Sequence, residues 1–88
     1  MSASRKNELL ALSIAETAVR ADGNLTIPRS FGVYRIVAGA GTSRRYRFGN
    51  HPVRRHELDR ELGATRLEAL FFERRLAEEL ARLLNAGE

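Results

Sequence analysis

The sequence predicts an α+β domain in the order helix, strand, strand, helix, strand, helix, with a small three-stranded sheet covered by helices. Three observations lead there. Phe31 to Ala38, rich in aromatic and β-branched residues, and the alternating Arg44 to Gly49 flank Gly39-Ala40-Gly41-Thr42-Ser43 and read as a hairpin. Leu67 to Phe72 is an apolar run of strand length. Both ends of the chain carry apolar residues at helical spacing. A lone two-stranded hairpin is marginal in water, so a third strand completes the sheet that helices can cover.

Residues 1–23 read as an N-terminal helix and its end, and residues 25–88 as a ββαβα core, together one domain of 88 residues. Ser4 is the expected cap of a helix running to Ala21. Leu9, Leu12, Ala15 and Val19 form its stripe, widened by Leu10 and Ile14. Asp22-Gly23-Asn24 ends it, and Pro28 interrupts regular structure after Leu25-Thr26-Ile27. Phe31 to Ala38 is the first strand and Arg44 to Gly49 the second, whose alternation sends Tyr46 and Phe48 to one face and Arg45 and Arg47 to the other. Asn50 or His51 caps the next helix, with Pro52 in its first turn and Gly63 at its end; Val53, Leu58 and Leu62 give it a thin apolar face.

The segment after Gly63 has two readings. Leu70, Phe71 and Phe72 in succession suit a strand buried on both faces, followed by a helix from Arg74 to Asn85. Both phenylalanines are then expected inside. The alternative is a mostly α fold with one hairpin, in which Thr65-Arg66-Leu67-Glu68 is a capping box. It opens one long C-terminal helix from Arg66 to Asn85, with Ala69, Phe72, Leu76, Leu80 and Leu83 on one stripe.

Charge is polarised along the chain. Between Gly23 and His56 there is no Asp or Glu, while Arg29, Arg35, Arg44, Arg45, Arg47, Arg54 and Arg55 give the block a formal charge of +7. The remainder holds eight basic and eleven acidic residues, so the overall +4 conceals a strong asymmetry. Concentrated fixed positive charge attracts polyanions, and guanidinium forks match phosphate and carboxylate geometry. Nucleic acid or an acidic protein surface is therefore the expected partner, with Arg35, Arg44, Arg45, Arg47, Arg54 and Arg55 as binding residues and a homodimer compatible with the patch.

Other classes lose support. Without cysteine there is no disulfide framework and no thiolate metal site. His51 and His56 stand five apart with no completing carboxylate pair, so no metal and no cofactor is expected. No Ser-His-acid arrangement supports nucleophilic catalysis, and Gly39 and Gly41 lack the Lys-Ser/Thr continuation of a phosphate-binding loop. No apolar run is long enough to span a bilayer, and the first residues carry no apolar signal core. A cytoplasmic, non-catalytic binding protein is the expectation.

At Gly32-Val33-Tyr34 the chain resembles the GIY-YIG nuclease family, which opens on a Gly-Ile/Val-Tyr strand and returns on one ending in a Tyr-Ile-Gly-like triplet. Tyr46-Arg47-Phe48-Gly49 stands where that triplet belongs, and either is one residue longer or has Arg47 in place of the tyrosine. The resemblance implies a metal-dependent phosphodiesterase as the alternative function. Tyr34 and Tyr46 would orient water, Arg55 (or Arg60 in its place) would stabilise developing charge, and Glu79 would hold a divalent cation. Leu58, Leu62, Gly63 and the segment from Thr65 also resemble a helix-turn-helix, implying Thr65 and Arg66 as base readers. In composition the chain is similar to small accessory proteins of phages and mobile elements, which implies a further alternative, a protein-binding inhibitor.

Overall fold

The computed structural model describes residues 4–15, 29–37 and 45–87. Their elements are α1 (Arg5–Leu12), β1 (Phe31–Ile36), β2 (Tyr46–Asn50), α2 (Val53–Leu62), β3 (Thr65–Phe71) and α3 (Arg74–Asn85). The strands form an antiparallel sheet in the order β2-β1-β3, with the hairpin pairing Gly32 with Gly49 and Tyr34 with Arg47. This is the α+β order expected from the sequence, and the segment after Gly63 is a strand rather than the start of a long helix.

Local propensity favours helix over residues 65–71, so the strand needs a tertiary cause. Central β1 has backbone groups pointing to both sides, and those facing away from β2 need partners when buried. β3 supplies them while burying apolar residues on both faces: Ala69 and Phe71 on one, Leu70 on the other. Glu68 is the extra residue at a register shift opposite Val33/Tyr34, which brings Leu67 to the face of Leu70. Gly63 makes the break possible. Its φ of 92° ends α2 with an N–H donated to the Asp59 carbonyl, a backbone position side-chain-bearing residues rarely hold.

The two faces of the sheet are covered by different helices. Phe31, Val33, Ala69 and Phe71 join Leu9 of α1 and Ala77, Leu80 and Ala81 of α3 in one cluster, with Tyr46 and Phe48 packed against its edge. The small side chains of Ala77 and Ala81 let α3 lie close on the sheet. On the opposite face Tyr34, Leu58 and Leu70 are fully buried beneath α2. No described helix is long and apolar enough to cross a membrane.

Several expectations need correction. Helix α1 stops at Leu12 rather than Ala21, although Ser4 does cap it, accepting the Asn7 N–H at 3.1 Å. The cause is the exposed edge of β3: Ser13 and Ile14 leave the helix to serve it, Ser13 Oγ accepting the Leu70 N–H at 3.0 Å and Ile14 donating to the Leu70 carbonyl at 2.8 Å. Among the described residues of the expected α1 stripe only Leu9 is fully buried, and Leu10, Leu12 and Ala15 are exposed. The first strand ends at Ile36. The N-cap position of α2 is Pro52 itself, without a side-chain cap, because the His51 side chain is engaged elsewhere.

Phe72 is 50% exposed, against 1% for Phe71, because β3 ends at Phe71. Thr65 is not a base reader: it is buried in β3 and donates its hydroxyl to Asp59 Oδ1 at 2.6 Å. The turn at 22–24, the stretch from Leu25 to Pro28, the connector Gly39–Ser43, Val19 and Arg44 lie outside the described residues.

Candidate nucleic-acid interface

The hairpin register decides where each basic side chain can work. The Ile36 N–H donates to the Arg45 carbonyl at 2.8 Å, so by the antiparallel alternation Arg45, Arg47 and Gly49 bond inwards to β1. The N–H and C=O groups of Tyr46, Phe48 and Asn50 then point outwards along the free edge of the sheet. At Tyr46 the side chain of Asn85 closes that edge, its Oδ1 accepting the Tyr46 N–H at 2.9 Å and its Nδ2 donating to the Tyr46 carbonyl at 3.0 Å. Among the described residues nothing bonds the outward groups of Phe48 and Asn50.

A trough follows this open edge, made of two adjoining hollows of about 530 and 630 Å³ that share Phe48 and Arg54. Helix α3 runs beside it and contributes Arg74, Glu78 and Arg82, four residues apart and so on one helical face. Arg54 of α2 forms the other wall, Arg47 borders one end beside Asn85, and Arg29 the opposite end beside Asn50. The Arg74 guanidinium lies 5.6 Å from the centroid of the Phe48 ring, a cation–π contact that holds it at the mouth. Arg54 also meets Glu57 at 3.3 Å on the exposed surface, a pair of small energetic weight.

Two cross-strand glycines explain how the opposite side of the hairpin is built. A Cβ on Gly32 would sit 2.5 Å from Tyr34 Cζ and Oη, because the phenol lies back over residue 32. A Cβ on Gly49 would stand 2.6 Å from Arg54 Cγ. The Gly32/Gly49 pair is thus a shallow bed that seats the buried tyrosine ring and lets the Arg54 stem cross the strand. The Tyr34 hydroxyl and His51 Nδ1 share a hydrogen bond of 2.7 Å, with the rings stacked at 5.8 Å and 22°.

The expected site residues therefore separate. Arg47 and Arg54 border the trough. Arg45 is exposed beyond it, and Arg55 turns to the sheet, donating to the Thr65 carbonyl at 3.4 Å. Arg35 lies opposite Tyr46 and Arg66 at the far end of the sheet. Of the four residues the nuclease resemblance implies, Tyr34 is fully buried on the α2 face and Arg55 lies on α2, whereas Tyr46 packs on the α3 face. Glu79 sits on α3, bound to α1 through Arg5 Nε at 2.7 Å and Nη2 at 3.1 Å. These four do not converge, and no group of three His, Asp or Glu side chains that could hold a metal occurs among the described residues.

Sequence reasoning missed Arg74 and Arg82, which lie outside the acid-free block, and the open edge at Phe48 and Asn50. The i, i+4, i+8 spacing of Arg74, Glu78 and Arg82 was a readable signal, but it pointed nowhere until α3 was known to lie along β2. It also missed the pairing of His51 with Tyr34.

The Arg5–Glu79 pair makes α1 docking sensitive to acid. Hydrogen bonding from Arg5, aided by its charge, holds the Glu79 carboxyl below the usual carboxylate range, and Glu79 in turn raises the Arg5 guanidinium. A lowered folded-state pKa means the contribution is complete above the ordinary carboxylate range and is lost as pH falls through the lowered value. Glu79→Gln is expected to speed amide exchange at Leu9 at neutral pH and to remove most of the acid sensitivity of α1 docking. Exchange rates followed from pH 7 down through the carboxylate range check this.

The fold and trough define a small antiparallel α+β domain with an arginine-lined sheet edge. Comparison with family models, with curated proteins and with solved structures found no match to this chain.

Proposed function

We propose that the chain is a non-catalytic binding protein that engages a polyanion, nucleic acid in preference to an acidic protein surface, through the trough along β2. One observation carries this reading. Arginines from four separate segments line that trough: Arg29 before β1, Arg47 in β2, Arg54 in α2, and Arg74 and Arg82 in α3, with Glu78 the one acid among its lining residues. Gathering like charges from distant segments is unfavourable in the free protein and is relieved when a polyanion neutralises them. Phosphate contacts of this kind position a nucleic acid without choosing its sequence.

The test is salt dependence. With about four to six phosphate contacts, log K against log salt is expected to slope by roughly −3 to −5, since each neutralised phosphate releases condensed counterion. Replacing Arg54, Arg74 and Arg82 together by Ala is expected to flatten the slope by about 0.7 to 0.9 for each phosphate no longer neutralised, with a modest loss of thermal stability from the Arg54 stem packed on Gly49 and the Arg74–Phe48 contact. Fluorescence anisotropy of labelled DNA and RNA across a salt series measures both. Binding indifferent to salt, or a slope unaltered in the triple variant, would remove the trough from the reading.

A further inference from the structure

We infer that the nucleic acid the trough takes is single-stranded; this rests on the proposed function and specifies its substrate. Three features point the same way. The first is the open backbone edge. Phe48 and Asn50 each present an outward N–H donor and C=O acceptor on the trough floor, unbonded among the described residues. Alternating donors and acceptors complement the Watson–Crick edge of an unpaired base, an edge that is already consumed inside a duplex.

The second is a stacking element between the phosphate-binding groups. Phe48 lies in the zone the two hollows share, and the Arg74 guanidinium over its ring lines one of them. Unstacked bases pack on aromatic rings and arginine planes, whereas the bases of a duplex offer no face to receive them. The third is shape. A five-residue strand spans roughly 17 Å, so the trough runs for a few nucleotides between α2 and the side of α3. Charged walls around a floor that can bond and stack follow an extended backbone.

Other occupants fit less well. A second copy pairing edge to edge would set Arg47, Arg54, Arg74 and Arg82 against their own counterparts. An acidic peptide adding as a fourth strand needs consecutive outward groups, and Asn85 already closes the edge at Tyr46, leaving only Phe48 and Asn50.

The experiment compares, by anisotropy at one low salt concentration, a labelled 15-nucleotide single strand, the blunt duplex of the same sequence, and a polyglutamate peptide of matched charge. The single strand is expected to bind at least about tenfold tighter than the duplex, the worth of one stacked base. Phe48→Leu, which keeps an apolar side chain at the core edge, is expected to reduce that preference toward unity while leaving the salt slope intact. Arg54→Ala is expected to weaken both nucleic acids together. Duplex binding equal to or tighter than single-strand binding overturns the inference but leaves the proposed function standing. Polyglutamate bound in preference to either nucleic acid, or retention of neither at low salt, overturns both.

Discussion

Truncating Phe71 to Ala is expected to destabilise the domain by about 3 to 5 kcal/mol, while the same change at adjacent Phe72 is expected to cost under about 1 kcal/mol. Phe71 is 1% exposed and belongs with Leu9, Phe31, Ala77 and Leu80 to the core beneath α3. Its removal leaves a cavity at the junction of α1, the sheet and α3. Phe72 lies one residue past the end of β3, where its ring is half in solvent. Urea denaturation of the two variants measures the contrast. Equal losses would mean that β3 extends through residue 72 with both faces covered. A large loss at 72 and little at 71 would restore the long C-terminal helix.

Gly32→Ala is expected to cost about 3 kcal/mol, an unusually large effect for adding one methyl group to a strand. A new Cβ at residue 32 meets the Tyr34 ring at 2.5 Å, and that ring is fully buried, so either the tyrosine leaves its seat or the hairpin shifts against α2. Moving the phenol also separates it from His51, which joins the end of β2 to the start of α2. Tyr34→Phe, which removes only the hydroxyl, is expected to cost about 1 kcal/mol. The diagnostic measurement is the double variant Gly32→Ala/Tyr34→Leu. Once the ring is gone the methyl group has room, so the pair is expected to be clearly less destabilised than the sum of the single changes. Additive losses would show that residue 32 matters for some reason other than the ring lying over it.

The glycine bed bears on the Gly-Val-Tyr motif itself. A glycine two residues before a tyrosine on the same strand face makes room for the ring to fold back, a packing reason sufficient for the tripeptide. The four residues that the nuclease resemblance implies are divided between the two faces of the sheet. The arginine trough instead lies along the sheet's open edge, where helices from both faces contribute side chains.

Much of the architecture was readable in the sequence because it depends on period and punctuation. The hairpin followed from the β-branched and aromatic residues of its first strand and the alternation of its second on either side of a glycine-rich connector. The cap at Ser4, the stop at Gly63 and the helix from Arg74 to Asn85 followed from local chemistry. The expectation of an anionic partner came from the composition of the acid-free block, and the proposed function builds on it. Only the tertiary structure decided the rest. Residues 65–71 are a strand because β1 has a second edge to satisfy and apolar neighbours wait on both faces, a demand that no local pattern contains. Helix α1 is short because the far edge of β3 recruits Ser13 and Ile14. The membership of the trough was set by α3 lying along β2, which brings Arg74 and Arg82 beside Arg47 and Arg54 and leaves Arg35 and Arg55 elsewhere. Charge along a chain is a property of composition. Charge around a groove depends on which helix packs against which edge, and that is settled by burial.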